Sequence, residues 1–137
     1  MNILRGRITA IESNDHVSLV DVEVSGDSFT ATLLETPEDA PYLRVGNVVD
    51  VLFKETEVSL AKNLSGLISL RNRVQTTVKQ VRSGVILSEV VLDYRGRTIS
   101  SIITTRSIKR LDIKPGDEIE AMVKANEMTL LEVIAST

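Results

Sequence analysis

Ser69-Leu70-Arg71-Asn72-Arg73-Val74-Gln75-Thr76-Thr77-Val78 is a basic, hydroxyl-bearing run that opens into a strand of alternating apolar and polar side chains. It stands at the midpoint of 137 residues, where the pattern of the first half starts again. Near the C-terminus, Met122-Val123-Lys124-Ala125-Asn126-Glu127-Met128 repeats Leu52-Phe53-Lys54-Glu55-Thr56-Glu57-Val58. Lys124 and Lys54 lie 70 positions apart, as do Gly116 and Gly46, and Asn72 and Asn2. One offset shared by three separated landmarks indicates an internal duplication. The chain therefore divides into two units, residues 1–62 and 63–137, each small enough to need its twin or another chain for a sufficient core.

Around this duplication the strands fall into place. Asn2 to Ile11 alternates as a half-buried strand, Ser13-Asn14-Asp15 is a turn, and Val17 to Val24 is a second strand. Ser25-Gly26-Asp27 turns the chain into Ser28 to Leu34. Glu35 to Tyr42, with Pro37, Pro41, Glu38 and Asp39, breaks the alternation and reads as a short helix or helical turn. Val48 to Phe53 and Val58 to Leu60 complete the first unit. In the second, the strands are Gln75–Val81, Val85–Tyr94, Thr98–Thr104, Glu118–Val123 and Met128–Val133, with a helix over Thr105–Leu111. The pair Asp21-Val22 aligns best with Glu89-Val90, a shift of 68, which predicts a longer first turn and a shorter hairpin in the first unit. Ala61 to Ile68 is a short connection, so the units sit against each other. Five short strands with a helix-like break after the third, twice over, predict a mostly β fold of two tandem OB-like barrels.

Composition narrows the function. Two Phe, two Tyr and no Trp leave the core to Val, Ile and Leu, a strand-favouring set. Sixteen Lys+Arg against 19 Asp+Glu give a formal charge of −3, so no global basic field attracts nucleic acid or an acidic membrane surface. No apolar run reaches the length of a membrane span and the N-terminus lacks a signal-peptide core. The absence of Cys removes disulfides, thiolate metal sites and cysteine nucleophiles, and fits the cytoplasm. His16 is the one histidine and has no companions for a metal cluster. No nucleophile–base arrangement points to an enzyme.

One set of residues is more specific. Ser69-Leu70-Arg71-Asn72, Glu89-Val90, Ile102-Ile103-Thr104, Leu111-Asp112-Ile113-Lys114-Pro115-Gly116 and Val123-Lys124-Ala125, in that order, resemble the Mop (molbindin) repeat. That repeat occurs in small molybdate- and tungstate-binding proteins, in molybdate-responsive regulators and in some oxyanion-transporter ATPases. Its opening signature is Ser-Ala-Arg-Asn; here Leu70 replaces the Ala. The resemblance is clear over 69–133 and weaker over 1–60. It implies binding of molybdate or tungstate, without catalysis and with no cofactor, for storage, buffering or sensing. It also implies sites between repeats or subunits of a homo-oligomer, a trimer favoured and a dimer possible. The ligands it implies are Ser69, Arg71, Thr104, Lys124, Ala125 and Asn126, with Lys54 as the remnant of a first-unit site. Thr104 is expected to act on a neighbouring chain's anion.

The chemistry of those residues suits a tetrahedral dianion, whose oxygens are all acceptors. Arg71 supplies a fork of donors, Lys124 a point charge, Ser69 and Thr104 hydroxyls, and the backbone at Ala125-Asn126 N–H groups. In the first unit Met1 stands in the place of Arg71, Leu34 in that of Thr104 and Glu55 in that of Ala125, with Glu57 following. A carboxylate beside a dianion is repulsive, so this site is expected to be degraded. Taken without the resemblance, Arg71 and Arg73 read as solvated charges at a strand start, and Ser69 and Thr104 as hydroxyls serving local backbone. Two other functions compete. A nucleic-acid-binding OB module would need aromatic platforms and a positive groove, which 3% aromatics and net negative charge do not supply. A regulatory or oligomerisation module, docking to a protein partner without binding anion, needs only the scaffold.

Overall fold

A computed structural model describes residues 1–134. Ten strands form two five-stranded antiparallel sheets. In the first half these are β1 (Asn2–Ser13), β2 (Ser18–Val24), β3 (Asp27–Leu33), β4 (Val48–Phe53) and β5 (Ser59–Ala61). In the second they are β6 (Asn72–Ser83), β7 (Leu87–Tyr94), β8 (Arg97–Thr104), β9 (Glu118–Val123) and β10 (Thr129–Glu132), with helix α1 (Thr105–Leu111) after β8. Three-residue 3-10 turns, Glu55–Glu57 and Ala125–Glu127, precede the last strand of each half.

The sheets do not follow the division into halves. Their strand orders are β10-β4-β1-β2-β3 and β5-β9-β6-β7-β8, so each half gives its last strand to the other's sheet. Leu60 pairs with Ala121, and 70 positions on, Leu130 pairs with Val51. The sequence reading had Val58–Leu60 and Met128–Val133 closing their own units. A three-residue strand carries its alternation to whichever edge the preceding 3-10 turn delivers it, and each turn crosses to the opposite half: Glu55–Glu57 packs on β8 and Ala125–Glu127 on β3.

One further expectation is corrected. The offset of 70 holds throughout: Ile8 opposite Val22 matches Val78 opposite Leu92, and a bulge at Thr9 recurs at Lys79. Asp21-Val22 therefore corresponds to Val91-Leu92, and the turns have equal lengths. A slip of two positions leaves every side chain on its proper face, so alternation alone could not reject it. Glu35–Tyr42 takes the second of the two forms expected of it, a helical turn and not a short helix. It makes one helical turn, Ala40 N–H to Thr36 O at 2.8 Å, and stops because Pro41 lacks an amide hydrogen and disfavours the α conformation at Ala40. Its counterpart α1 has what a helix needs. The Thr104 hydroxyl accepts from Ser107 N at 3.1 Å, and Asp112, at φ 52°, closes the C-terminus in the left-handed region.

A single core runs through both halves. Asn2 and Asn72, nearly buried at the starts of β1 and β6, fasten the sheets together. Asn72 accepts from Thr30 N at 2.7 Å and donates to Thr30 O at 2.9 Å. Asn2 does the same to Ser100, at 2.8 and 2.9 Å. Each carboxamide thus plays the part of one more residue alongside the other half's third strand, and the offset of 70 makes the two clasps a symmetric pair. Tyr94 marks the seam between them. Its ring meets Phe29 edge-on at 5.9 Å and 86°, and its hydroxyl lies 2.6 Å from Asp27 Oδ2 and 3.0 Å from the Val24 carbonyl.

Burial, then the hydrogen bond to Asp27, push the Tyr94 hydroxyl well above its ordinary range. A raised folded-state value stabilises below the unfolded phenol's pKa of about 10 and is lost as pH rises towards the folded value. Wild-type unfolding free energy is therefore expected to decline above about pH 10. Tyr94→Phe should flatten part of that decline, leaving the share due to Tyr42, whose hydroxyl is likewise raised by burial and by its hydrogen bond to Glu35, and should cost about 1–2 kcal/mol at neutral pH. Urea melts across pH 7 to 11 check both; an unchanged alkaline slope contradicts the assignment.

Candidate functional site

The residues singled out from the sequence divide into two groups. Asn72 pairs with Val123 at the end of the β6–β9 ladder, so Arg71 and Lys124 each lie one residue beyond that last pair, at the same end of the ladder. Ala125 and Asn126 follow in the 3-10 turn. Arg71, Lys124, Asn126 and Ser69 are exposed and Ala125 is half-buried. Among the described residues neither Arg71 nor Lys124 forms an ion pair. The neighbouring Arg73 is by contrast spent on a fork to Glu120, at 2.9 Å to each oxygen. Two cations without ion pairs among the described residues thus lie at one end of the ladder, where the 3-10 turn begins.

Thr104 is not with them. It ends β8, at the edge of the sheet where β6 turns into β7, since Leu87 pairs with Thr104 and the Thr105 hydroxyl donates to Gly84 O at 2.9 Å. Arg71 stands at the other end of β6. Thr104 lines a separate depression with Val85, Ile86 and Arg106. Its hydroxyl is engaged locally, with Ser107 Oγ at 2.9 Å and Ser107 N.

Arg71 and Ala125 open onto a cleft of about 510 Å³ whose other wall belongs to the first sheet: Ala10, Ile11 and Glu12 of β1, Leu19 and Asp21 of β2, and Thr30 of β3. Sequence reasoning missed this wall, because nothing in residues 10–30 carries an anion signature. The cue lay in Asn72, whose carboxamide holds Thr30 and so presses the segment of Arg71 against β3. The wall brings carboxylates. Asp21 Oδ1 accepts from Thr30 Oγ1 at 2.6 Å, and Glu12 forms no ion pair among the described residues.

The equivalent place in the first half is differently furnished. Asn2 pairs with Phe53, so Met1 and Lys54 each lie one residue beyond that last pair. The Met1 ammonium donates to Glu55 Oε2 at 2.6 Å, and that hydrogen bond holds the Glu55 carboxyl below the usual range. Glu57 does not distinguish the halves, since Glu127 stands 70 positions on; Glu55 against Ala125 does. Among the described residues there is no group of acidic, His or Cys side chains fit for a metal cation, and no helix is long and apolar enough to cross a membrane.

Comparison with known proteins gives the following. The TOBE domain family matches residues 68–130. The chain is 38% identical over 65 residues to the molybdenum-pterin-binding protein 1 of Clostridium pasteurianum, covering 47% of this chain and 96% of that one. It is 30% identical over 124 residues to the molybdenum import ATP-binding protein ModC of Brucella abortus, covering 90% of this chain but 32% of the relative, so it spans about a third of that protein's length. Among solved structures, the cytoplasmic molybdate-binding protein ModG in its molybdate-bound form superposes with a TM-score of 0.88 at 30% identity, covering 94% of each chain.

Proposed function

This chain belongs to the Mop (molbindin) family of TOBE-domain proteins, and from that premise we propose that it binds molybdate in the cleft beside Arg71. The observation that supports the reading is that Arg71 lines this cleft with Ala125, while Arg71 and Lys124 flank the last pair of the β6–β9 ladder, Asn72 with Val123, both free of ion pairs among the described residues. An oxyanion there takes a fork of donors from Arg71, a charge from Lys124, a hydroxyl from Ser69 and N–H groups from the turn at Ala125-Asn126. Charge-assisted hydrogen bonds of this kind are roughly twice as strong as neutral ones. The anion is held and not transformed, so the protein is a binding protein and not an enzyme. Tungstate, of nearly the same size and the same charge, is accepted as well.

Storage, buffering or sensing of the oxyanion in the cytoplasm is the role this binding supports. Each sheet rolls into a small OB-like barrel, residues 1–62 and 63–137 being the two repeats with their last strands exchanged. The working unit is a homo-oligomer, a trimer in preference to a dimer, in which Thr104 reaches a neighbouring chain's anion. Its position at the far end of β8 from Arg71 supports that division. The purely scaffolding alternative would leave Arg71, without an ion pair among the described residues, with no purpose at its cleft.

The first repeat is the internal control. Lys54 remains there, but Glu55 stands where Ala125 does and meets the Met1 ammonium. Equilibrium dialysis against molybdate, with molybdenum counted per chain, is expected to give fewer sites in the wild type than in Glu55→Ala, with affinity at the Arg71 cleft unchanged. Equal counts would mean that the missing arginine, not the added carboxylate, disables the first repeat. No molybdenum retained by either protein would remove the oxyanion reading.

A further inference from the structure

Arg71 shares its cleft with two carboxylates, those of Glu12 and Asp21, on the wall given by β1 and β2. The fold does not require them there. Seventy positions on, the same places in the second sheet hold Arg82 and Val91, and Leu19, opposite Glu12, becomes Glu89, opposite Arg82. That pair neutralises itself, with Arg82 Nη1 2.7 Å from Glu89 Oε1. Glu12 has no such companion: it is exposed and forms no ion pair among the described residues. Asp21 accepts from the Thr30 hydroxyl at 2.6 Å, which fixes its carboxylate on the wall. The cleft is also roomy. Its volume of about 510 Å³ is on the scale of pockets that hold whole organic ligands, whereas a tetrahedral oxyanion is a single central atom and its oxygens. Volume alone would therefore admit condensed phosphates and nucleotides, whose oxygens offer Arg71 the same acceptors.

We propose that Glu12 and Asp21 are specificity-determining residues of this cleft, and that they select by the total charge of the ligand. Repulsion from a fixed carboxylate grows in proportion to the charge brought in. A dianion seated at Arg71 meets moderate opposition. A ligand with twice that charge, or one whose further phosphates extend along the wall, meets at least twice as much. The wall thus costs molybdate some affinity, and costs pyrophosphate or a nucleoside triphosphate more. Ligands that all present tetrahedral oxygens are separated in this way although Arg71 and Lys124 attract every one of them. Built-in repulsion of the wrong ligand is a general route to specificity. Ile11 and Leu19, on the same wall, add no side-chain donor that would offset it. The selection rests on the oxyanion reading and states which anions that site refuses.

Glu12→Gln tests the proposal by removing the charge and keeping the shape. Calorimetric titration of wild type and variant with sodium molybdate and with sodium pyrophosphate compares the affinities directly. The wild type is expected to prefer molybdate. In the variant molybdate should tighten about threefold, the scale of a screened interaction across a cleft. Pyrophosphate, with roughly twice the charge, should tighten by the square of that factor, about ninefold. Asp21→Asn, whose amide oxygen still accepts from Thr30, should act in the same direction. Glu118→Gln controls for net charge. Glu118 is exposed and lies opposite Thr77, at the far end of the β6–β9 ladder from Asn72 and Val123. It is about 17 Å from that end at the strand rise, past the screening length, so its substitution should change neither affinity. Circular dichroism verifies that each variant folds. Equal gains for the two anions, no gain for pyrophosphate, or a wild type that takes pyrophosphate as tightly as molybdate would each overturn the selection and leave the oxyanion site standing. No heat from either anion with either protein would overturn the site itself, and the selection with it.

Discussion

Arg71→Ala is expected to weaken molybdate binding by roughly 30- to 1000-fold, the range for removing one partner of a hydrogen-bonded charge pair. Its folding stability should stay within about 0.5 kcal/mol of the wild type, because the side chain is exposed and bonds nothing else among the described residues. Arg71→Lys keeps the charge but loses the planar fork, so it should recover only part of the affinity. Lys124→Ala removes a point charge and no fork, and a loss of about tenfold is expected. Calorimetric titration together with thermal melts of the four proteins gives both quantities. Unchanged affinity in Arg71→Ala would take Arg71 out of the site and leave the cleft without its principal donor.

Asn72→Ala should bring the largest loss of stability, about 2–4 kcal/mol. The substitution removes two hydrogen bonds at once and leaves the Thr30 N–H and C=O without partners in a buried place. For a chain of this length that corresponds to a fall in melting temperature of about 6–12 °C. Asn2→Ala, which strips Ser100 in the same way, should cost a similar amount, since the two clasps are related by the repeat. They differ in function. Asn72 adjoins Arg71 and holds its segment on β3, so Asn72→Ala should also weaken molybdate binding, whereas Asn2→Ala should not. Equal effects of both on affinity would show that loosening the fold, and not the placement of Arg71, governs binding.

These two residues show what the amino-acid order discloses. The duplication, the strands and α1 follow from alternation, turn residues and capping, all of which act within a few positions. The exchange of β5 and β10 does not, because a short strand pairs equally well with either available edge. The register error at Asp21-Val22 has a similar origin, as period-two alternation is blind to a slip of two. In the site, Arg71 and Lys124 were grouped through the resemblance to the Mop repeat, and the Asn72–Val123 pair puts their segments at one end of the β6–β9 ladder. The wall formed by Glu12, Leu19 and Asp21 was not legible, since it comes to Arg71 only through the contact of Asn72 with Thr30. Pro37 and Pro41 marked the break in alternation as a short helix or helical turn, and Pro41 limits it to the turn.

The most direct test of the central claim is a calorimetric titration of the purified chain with molybdate, tungstate and sulfate in parallel. Tight, saturable heats with molybdate and tungstate, and none with the smaller sulfate, are expected, and they should vanish in Arg71→Ala. Silence with all three anions would contradict the oxyanion site and leave the paired sheets as a scaffold for assembly.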